Sequence, residues 1–298
     1  MTPALVTAVE ELIAKRTGNR STVTSHSGVG GGCISQAHAI ELADGRHYFL
    51  KWNPAPLEGM FERECEGLDA LAAVGAIRVP QALGTGGEVG TEVPPFVVME
   101  AIGQGRQAAD FFTVFGHQFA TLHRHSVGGR FGFEHDNYLG ATPQPNRWER
   151  DACEFWKQQR LGFQLRLTRQ TGADDPELRS LGERLMNRLD DYLGAITEPP
   201  SLLHGDLWSG NFLTGEGGEP VLIDPACYCG HREADLAMTM LFGGFGSCFY
   251  SAYEEVWPLE EGSSERLEIY KLYHLLNHLN LFGSSYRGQC VAILQRLV

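Results

Sequence analysis

Leu202-Leu203-His204-Gly205-Asp206-Leu207-Trp208-Ser209-Gly210-Asn211 is followed, after a short intervening stretch, by Val221-Leu222-Ile223-Asp224. An aspartate, an asparagine five positions later, and a second aspartate closing a short apolar strand form the residue order used by kinase-type phosphoryl-transfer catalysts. The chemistry explains the residue types. Moving a phosphoryl group asks little covalent work of the protein and much positioning and charge neutralisation. Asp206 is expected to orient an acceptor hydroxyl and take its proton. Asn211 and Asp224 offer the hard oxygen ligands that Mg²⁺ prefers. Gly205 and Gly210 let the loop turn tightly enough to aim these groups at one point. A lone His-Gly-Asp turn is an ordinary strand-ending loop; the three polar residues in this order, with strands on both sides, favour a catalytic site.

Further upstream, Ser27-Gly28-Val29-Gly30-Gly31-Gly32-Cys33 sits between two β-like runs, Val23–Val29 and Ile34–Leu42. Its glycines can bring backbone N–H groups close to phosphate oxygens, which makes Gly30, Gly31, Gly32, Cys33, Ile34 and Ser35 candidate nucleotide contacts. Lys51 ends the run Tyr48-Phe49-Leu50-Lys51 and fits a strand lysine that reaches the α- and β-phosphates. Glu64, on the helical stretch that follows, fits its ion-pair partner better than Glu62 or Glu66. Met99, Glu100 and Ile102 fall where an adenine-binding hinge would lie.

The pattern of elements predicts an α+β chain in two lobes. Thr2-Pro3 caps a first helix that ends near Gly18. The β-like runs follow, with an Asp44-Gly45 hairpin turn before Tyr48–Trp52. Helical spacing covers Leu57–Ala73, and two more strands are read at Gln81–Gly84 and Phe96–Glu100. After Gly103 the pattern turns helical over Ala108–His125, Arg147–Thr168, Pro176–Ile196, Ala234–Leu241 and Arg266–Tyr286. Only the strands Ser201–His204 and Pro220–Asp224 interrupt it. The reading is therefore a nucleotide-binding lobe at 1–102, a small antiparallel sheet with one helix. A mainly helical catalytic and substrate-binding lobe follows at 103–298.

Composition narrows the partners. A net charge of -13 over 298 residues argues against nucleic acid, which requires a concentrated basic surface. It suits Mg²⁺ or an amine-bearing substrate, and it also keeps a protein soluble. No run approaches the roughly 18 apolar residues of a membrane span, and Met1-Thr2-Pro3-Ala4 does not begin a signal peptide. A cytoplasmic location is expected. The seven cysteines are odd in number and scattered, as free thiols in a reducing compartment would be. Cys227 and Cys229 are one residue apart with no second pair nearby, which excludes a zinc knuckle.

These motifs together resemble the fructosamine kinase (ketosamine-3-kinase) family, relatives of the aminoglycoside and choline phosphotransferases. The resemblance rests on Gly30–Ser35, Asn137-Tyr138-Leu139-Gly140 with Thr142-Pro143-Gln144-Pro145-Asn146, Leu203–Asn211, Asp224-Pro225-Ala226, Gly230–Ala237 and His274–Asn280, and runs from residue 28 to 286. It implies a bilobal protein-kinase-like fold, ATP and Mg²⁺ as cofactors, and phosphorylation of the sugar C3 hydroxyl of free or protein-bound ketoamines. Such activity serves to repair glycated amines. It also implies that Asn137 lies near the substrate, and that Cys33 acts as a redox switch joining two subunits; otherwise Cys33 is an inert small residue and the protein a monomer.

Trp208, beside Asp206, is a candidate to stack on a sugar face or an amine, or to pack beneath the loop. His231, Glu233 and Asp235 are expected to anchor the catalytic loop from a helix start. His274 and His278 have the spacing of metal ligands but lack the glutamate of a metalloprotease motif, so they read as packing.

Gly205 stands where protein kinases carry an arginine before the catalytic aspartate, and only about half a dozen residues run from Asp224 to the Gly230–Ala237 motif. Too little chain remains there for a peptide-docking activation segment. Two other readings keep part of the argument: transfer to another small hydroxyl acceptor of the aminoglycoside or choline type, or a nucleotide-binding pseudokinase. Retention of Lys51, Glu64, Asp206, Asn211 and Asp224 together argues against the last, since a scaffold needs no metal ligands.

Overall fold

The structure is a computed structural model that describes residues 1–30, 34–125 and 128–298. The chain divides into two compact units, Met1–Phe111 with Gly210–Pro225, and Phe112–Ser209 with Ala226–Val298.

In the first unit, helix α1 (Pro3–Thr17) begins where the Thr2 hydroxyl accepts from the Leu5 N–H at 3.2 Å, with Pro3 in its first turn, and ends at Gly18 with φ 76°. Strands β1 (Val23–Gly28), β2 (Gln36–Leu42) and β3 (His47–Trp52) precede helix α2 (Met60–Val74), then β4 (Ala82–Gly86) and β5 (Phe96–Glu100). They form one antiparallel sheet in the order β1-β2-β3-β5-β4.

Alternation along the strands sorts the side chains. Ile40, Leu42, Tyr48, Leu50, Phe96 and Val98 meet Leu5, Val9 and Ile13 of α1. Val97 and Met99 face the other way, against Phe61 and Leu68 of α2. Lys51 pairs in register with Val97 and so lies on the α2 side. A slip of one residue would turn it into the α1 core, which a lysine does not tolerate.

A hairpin, Phe212–Thr214 paired with Pro220–Leu222, completes this unit. A single cut between 102 and 103 would leave it with the second lobe; in the structure it is part of the first. Bare backbone makes the seam. A Cβ on Gly103 would stand 1.9 Å from Glu216 Oε1, and one on Gly105 2.2 Å from the Gly215 carbonyl. The Gly105 N–H donates to Thr214 O at 3.1 Å, and the Leu222 N–H to Arg78 O at 2.9 Å.

The second unit is mainly helical: α3 (Phe111–Arg124, its first residue at the boundary), α4 (Ala152–Gln159), α5 (Leu161–Thr171), α6 (Pro176–Leu193), α7 (Glu233–Thr239), α8 (Ser247–Val256), α9 (Ser263–Phe282) and α10 (Arg287–Leu297). Helix α9 buries Ile269, Tyr270, Leu272, Tyr273, Leu275 and Leu276 over most of its girth, leaving Glu268 and Lys271 paired at 3.0 Å on its more open side. Two short ladders lie among the helices, Asn137–Leu139 with Thr142–Gln144 and Ser201–Leu203 with Tyr228–Gly230.

The helix expected over Arg147–Thr168 is two helices, broken at Arg160 (φ -118°, ψ -97°). The Arg160 side chain is buried, donates to Pro145 O at 2.6 Å and Asn146 Oδ1 at 2.7 Å, and lies 4.0 Å over the Tyr228 ring and 4.4 Å over Phe155. This tether overrides a periodicity that would otherwise run on.

His231 and His274 are buried in this unit. Burial, reinforced by the charge of Arg266 in one case and by His278 in the other, pushes each imidazole down to about 3. The unfolded chain titrates near 6.5, so the contribution of each to stability is complete above that value and drains away as pH falls toward 3. We expect chemical denaturation at pH 5 to show a loss of about 2 kcal/mol per histidine relative to pH 7, and His274→Leu to flatten this dependence. An unchanged slope in that variant would remove His274 from the account.

Candidate active site

The first unit gathers three charged side chains. The Lys51 Nζ lies 2.6 Å from Glu64 Oε1 and also pairs with Asp224. Strand β3 supplies the lysine, α2 the glutamate, and the end of the hairpin the aspartate. Burial opposes the ammonium, but the charges of Asp224 and Glu64 outweigh it and hold Lys51 protonated. Burial, with the charge of Asp224, raises Glu64 despite the opposing pull of Lys51.

Asp224 itself has φ 56°, a left-handed backbone that is rare outside glycine and collects at functional sites. Its carboxylate is 42% exposed, against 13% for the lysine. The Ile223 N–H donates to Asn211 O at 3.0 Å, which extends the hairpin ladder by one pair. Asn211 and Asp224 therefore leave the same end of one hairpin. Two hard oxygen donors so placed suit Mg²⁺ held largely by phosphate oxygens and water. No group of three or more His, Cys, Asp or Glu side chains stands ready to cage a metal among the described residues.

The expected nucleotide contacts are placed unevenly. Gly31, Gly32 and Cys33 lie outside the described residues, and with them the proposed Cys33 pairing. Gly30, Ile34 and Ser35 flank them, and the Val29 N–H donates to Ala37 O at 2.8 Å where the β1–β2 connection opens. Met99 is buried against α2, and Ile102 is half-buried beside the Gly103 seam. Glu100 turns its carboxylate to Arg78 at 2.6 Å and donates its N–H to Gln81 O at 2.8 Å. That side chain serves the unit's own frame.

In the second unit, Asp206 stands on a loop held by Asp235. The Asp235 carboxylate accepts the His204 N–H at 2.7 Å, the Gly205 N–H at 2.8 Å, and His123 Nε2 at 3.2 Å. Burial keeps His123 neutral despite that carboxylate. Its Nε2–H is therefore the donor to Asp235, and its Nδ1 accepts from the Tyr253 hydroxyl at 2.8 Å. For Asp235, burial pushes the carboxyl up, but the hydrogen bond from His123 and the backbone donor at Gly205 are among the interactions that outweigh it and leave it below the usual range.

Gly205 has φ 82°, and a Cβ there would stand 2.0 Å from the Ala226 carbonyl. The neighbouring Ala226 N–H donates to His204 O at 2.8 Å, so the two segments lock together. Of the expected anchors, Asp235 holds the loop itself. Glu233 pairs with Arg266 at 2.6 Å and His231 bonds the Tyr270 hydroxyl at 2.8 Å, tying α7 to α9.

Comparison with known proteins then decides the family. The sequence profile of the family described as fructosamine kinase matches residues 5–298. The chain belongs to the fructosamine kinase family. It is 39% identical over 295 residues to a Synechocystis protein named probable ketoamine kinase, covering 99% of this chain and 97% of that one. A chloroplastic protein-ribulosamine 3-kinase of Oryza sativa subsp. japonica is 41% identical over 284 residues, 93% of this chain and 80% of its own. The crystal structure of a candidate fructosamine-3-kinase from Thermobifida fusca superposes with a TM-score of 0.85 at 34% identity, covering 98% of this chain and 99% of that one. The α+β fold is protein-kinase-like, and the protein is a phosphotransferase of an ATP-using family.

Within this fructosamine kinase family member, Asn137 belongs to a buried hydrogen-bond network. It is buried, donates to Cys227 O at 2.8 Å, and accepts from Gln144 Nε2 at 2.8 Å and Asn146 Nδ2 at 2.9 Å. Gln144 in turn donates to Ala226 O at 3.0 Å and accepts from the Tyr273 hydroxyl at 2.8 Å. The Asn137–Asn146 motif thus positions Ala226 and Cys227, and Arg160 holds it from behind. Trp208 is exposed and meets Phe242 edge to face at 6.3 Å. His123 and Arg160 are the functional supports that sequence reasoning missed; nothing along the chain links position 123 to 235 or 160 to 146.

Gly205→Ala is expected to remove catalytic activity and to cost at least 2 kcal/mol in denaturation, because it meets both a positive φ and a backbone clash. Asp235→Asn keeps one acceptor oxygen and sets an amide N–H2 in place of the other, against a buried backbone N–H. It should lower the rate at least tenfold and destabilise the fold by about 2–4 kcal/mol. Steady-state kinetics and urea titration check both, and a wild-type rate in either variant would contradict the anchoring described.

Proposed function

We propose that the protein is an ATP- and Mg²⁺-dependent ketoamine 3-kinase that phosphorylates the sugar C3 hydroxyl of fructosamine- or ribulosamine-type adducts. The observation that carries this is the buried Lys51–Glu64 pair set against Asp224, which leaves the same hairpin end as Asn211. Lys51, kept cationic by its two carboxylate neighbours, is suited to bind the phosphates of ATP. Asn211 and Asp224 would hold Mg²⁺, which when bound neutralises phosphate charge. Asp206, at the head of the loop fixed by Asp235, orients the acceptor hydroxyl and accepts its proton.

The acceptor class is supported by relatives named ketoamine kinase and protein-ribulosamine 3-kinase. The 3-phosphorylated product is unstable and releases the amine, which makes the activity a repair of glycated amines. Among the described residues, six cysteines are free thiols and no helix is long and apolar enough to cross a membrane. A reducing compartment such as the cytoplasm suits the former.

ATP consumption measured with ribulosamine, fructosamine, aminoglycoside and choline acceptors tests the proposal. Turnover is expected on a ketoamine, to stop when Mg²⁺ is chelated, and to fall at least about 10²-fold in Asp206→Asn while nucleotide binding persists. Turnover confined to choline or an aminoglycoside would discard the acceptor class. Nucleotide binding with no turnover on any acceptor would discard catalysis.

A further inference from the structure

Three rings cross the sheet of the first unit on the face that carries α1. His26 of β1 meets His38 of β2 with ring centres 5.7 Å apart and planes at 72°, and the His38 ring lies 6.4 Å from that of Trp52 on β3, at 25°. Pairing explains the row. His26 is opposite Ile40 and Gly28 is opposite His38, so the two histidines are diagonal neighbours on adjacent antiparallel strands. Ala37, the residue before His38, pairs with Lys51, so the histidines and the Lys51 cluster occupy opposite faces of the sheet.

The His38 Nδ1 is enclosed and meets no hydrogen-bond partner. A buried ring nitrogen left in that way calls for a water or an ion. Burial lowers the His38 imidazole, so the ring is uncharged at neutral pH, and Nδ1 offers a lone pair once the proton sits on Nε2. Trp52, packed against the α1 core, holds the plane of the His38 ring. There is room beside it: Gly28 has no side chain, and a Cβ built there would meet nothing within 4 Å. His26 is exposed on the edge strand and is able to turn toward that space.

We infer that His26 and His38 together bind a divalent transition-metal ion of the Zn²⁺, Ni²⁺ and Cu²⁺ class. Separation decides whether two rings can share one ion. With a metal–nitrogen bond of about 2.0–2.1 Å and about 1.2 Å from nitrogen to ring centre, the two centres stand roughly 5.2 Å apart at a tetrahedral angle and roughly 6.5 Å apart in line. The observed 5.7 Å falls between these limits, so no strand has to move. Neutral imidazole suits these ions whereas Mg²⁺ prefers oxygen, so the pair differs in kind from Asn211 and Asp224. Water fills the remaining positions, which makes this an exchangeable micromolar site and not a closed cage. Its place gives it a consequence. The ion joins β1 to β2 at the last pair of their ladder, where the Val29 N–H donates to Ala37 O at 2.8 Å. Gly30, Ile34 and Ser35, the expected nucleotide contacts, lie on the connection beyond, so the ion ties down the base from which they project.

Ni²⁺ is the probe, titrated calorimetrically into the full chain with saturating Mg²⁺ and with thiols blocked by N-ethylmaleimide, so that neither the hard-oxygen site nor an accessible cysteine takes it up. One equivalent is expected to bind in the micromolar range, with Cu²⁺ tighter and Mn²⁺ weaker. His26→Gln and His38→Phe should each weaken Ni²⁺ at least about tenfold. Phenylalanine keeps a ring on Trp52, and the exposed His26 is replaced without loss of packing, so the metal-free melting of both variants should match the wild type. Bound Ni²⁺ should raise the wild-type Tm by about 2–5 °C and slow hydrogen exchange at the Val29 N–H, and do neither in the variants. Absence of saturable binding below about 1 mM, or an affinity unchanged in either variant, would overturn the inference.

Discussion

Asp235 accepts two consecutive backbone N–H groups, those of His204 and Gly205, from a site without solvent. A carboxylate there is tolerable only because every lone pair facing the loop is used and His123 donates to it as well. The arrangement constrains the loop strongly. Two successive N–H vectors pointing at one carboxylate leave the backbone little freedom, and Gly205 supplies the left-handed turn that makes this geometry attainable. Asp206, the next residue, inherits its position from that constraint. The network of Asn137, Gln144 and Asn146 fixes the opposite segment, Ala226–Cys227, against the same loop. The buried pairs Arg266–Glu233 and Arg232–Glu198 brace the helix from which Asp235 projects.

Local physics made the first unit legible in the sequence. Alternation fixed the strand faces, the Thr2-Pro3 and Asp44-Gly45 signals marked a helix start and a turn, and one residue order pointed to Lys51, Glu64, Asn211 and Asp224 as partners. The supports of the second unit were less accessible. Arg160 breaks what reads as one continuous helix because its guanidinium is drawn to Pro145 and Asn146, a tertiary effect that no periodicity records. Helices α8 and α10 went unread behind the glycine-rich stretch at 243–246 and the turn after Phe282. Asn137 was visible as a motif, but its partners were not: its amide meets the Cys227 carbonyl, 90 positions along the chain, as well as Gln144 and Asn146.

Charge is distributed in the first unit so that no single group sets the chemistry. Lys51 has two carboxylate partners; Glu64 is the enclosed one and Asp224 the more open. A ligand competing for Asp224 would leave the ammonium still paired with Glu64, so the lysine need not become an uncompensated buried charge when the aspartate takes up other work. The left-handed backbone at Asp224 aims its carboxylate from the hairpin end.

The assignment of Gly210–Pro225 to the first unit has a consequence for how the chain is made. The sheet emerges from the ribosome within the first hundred or so residues, but the hairpin that closes against Gly103 and Gly105 follows only after the intervening helices. At translation rates of about 5–20 residues per second, the nascent sheet waits on the order of 5–20 s with that glycine seam uncovered. The first-synthesised unit is therefore not the first completed one. A chain truncated before Asp224 lacks that partner of Lys51 however well its sheet has formed, and this interval is when a chaperone would have its opening.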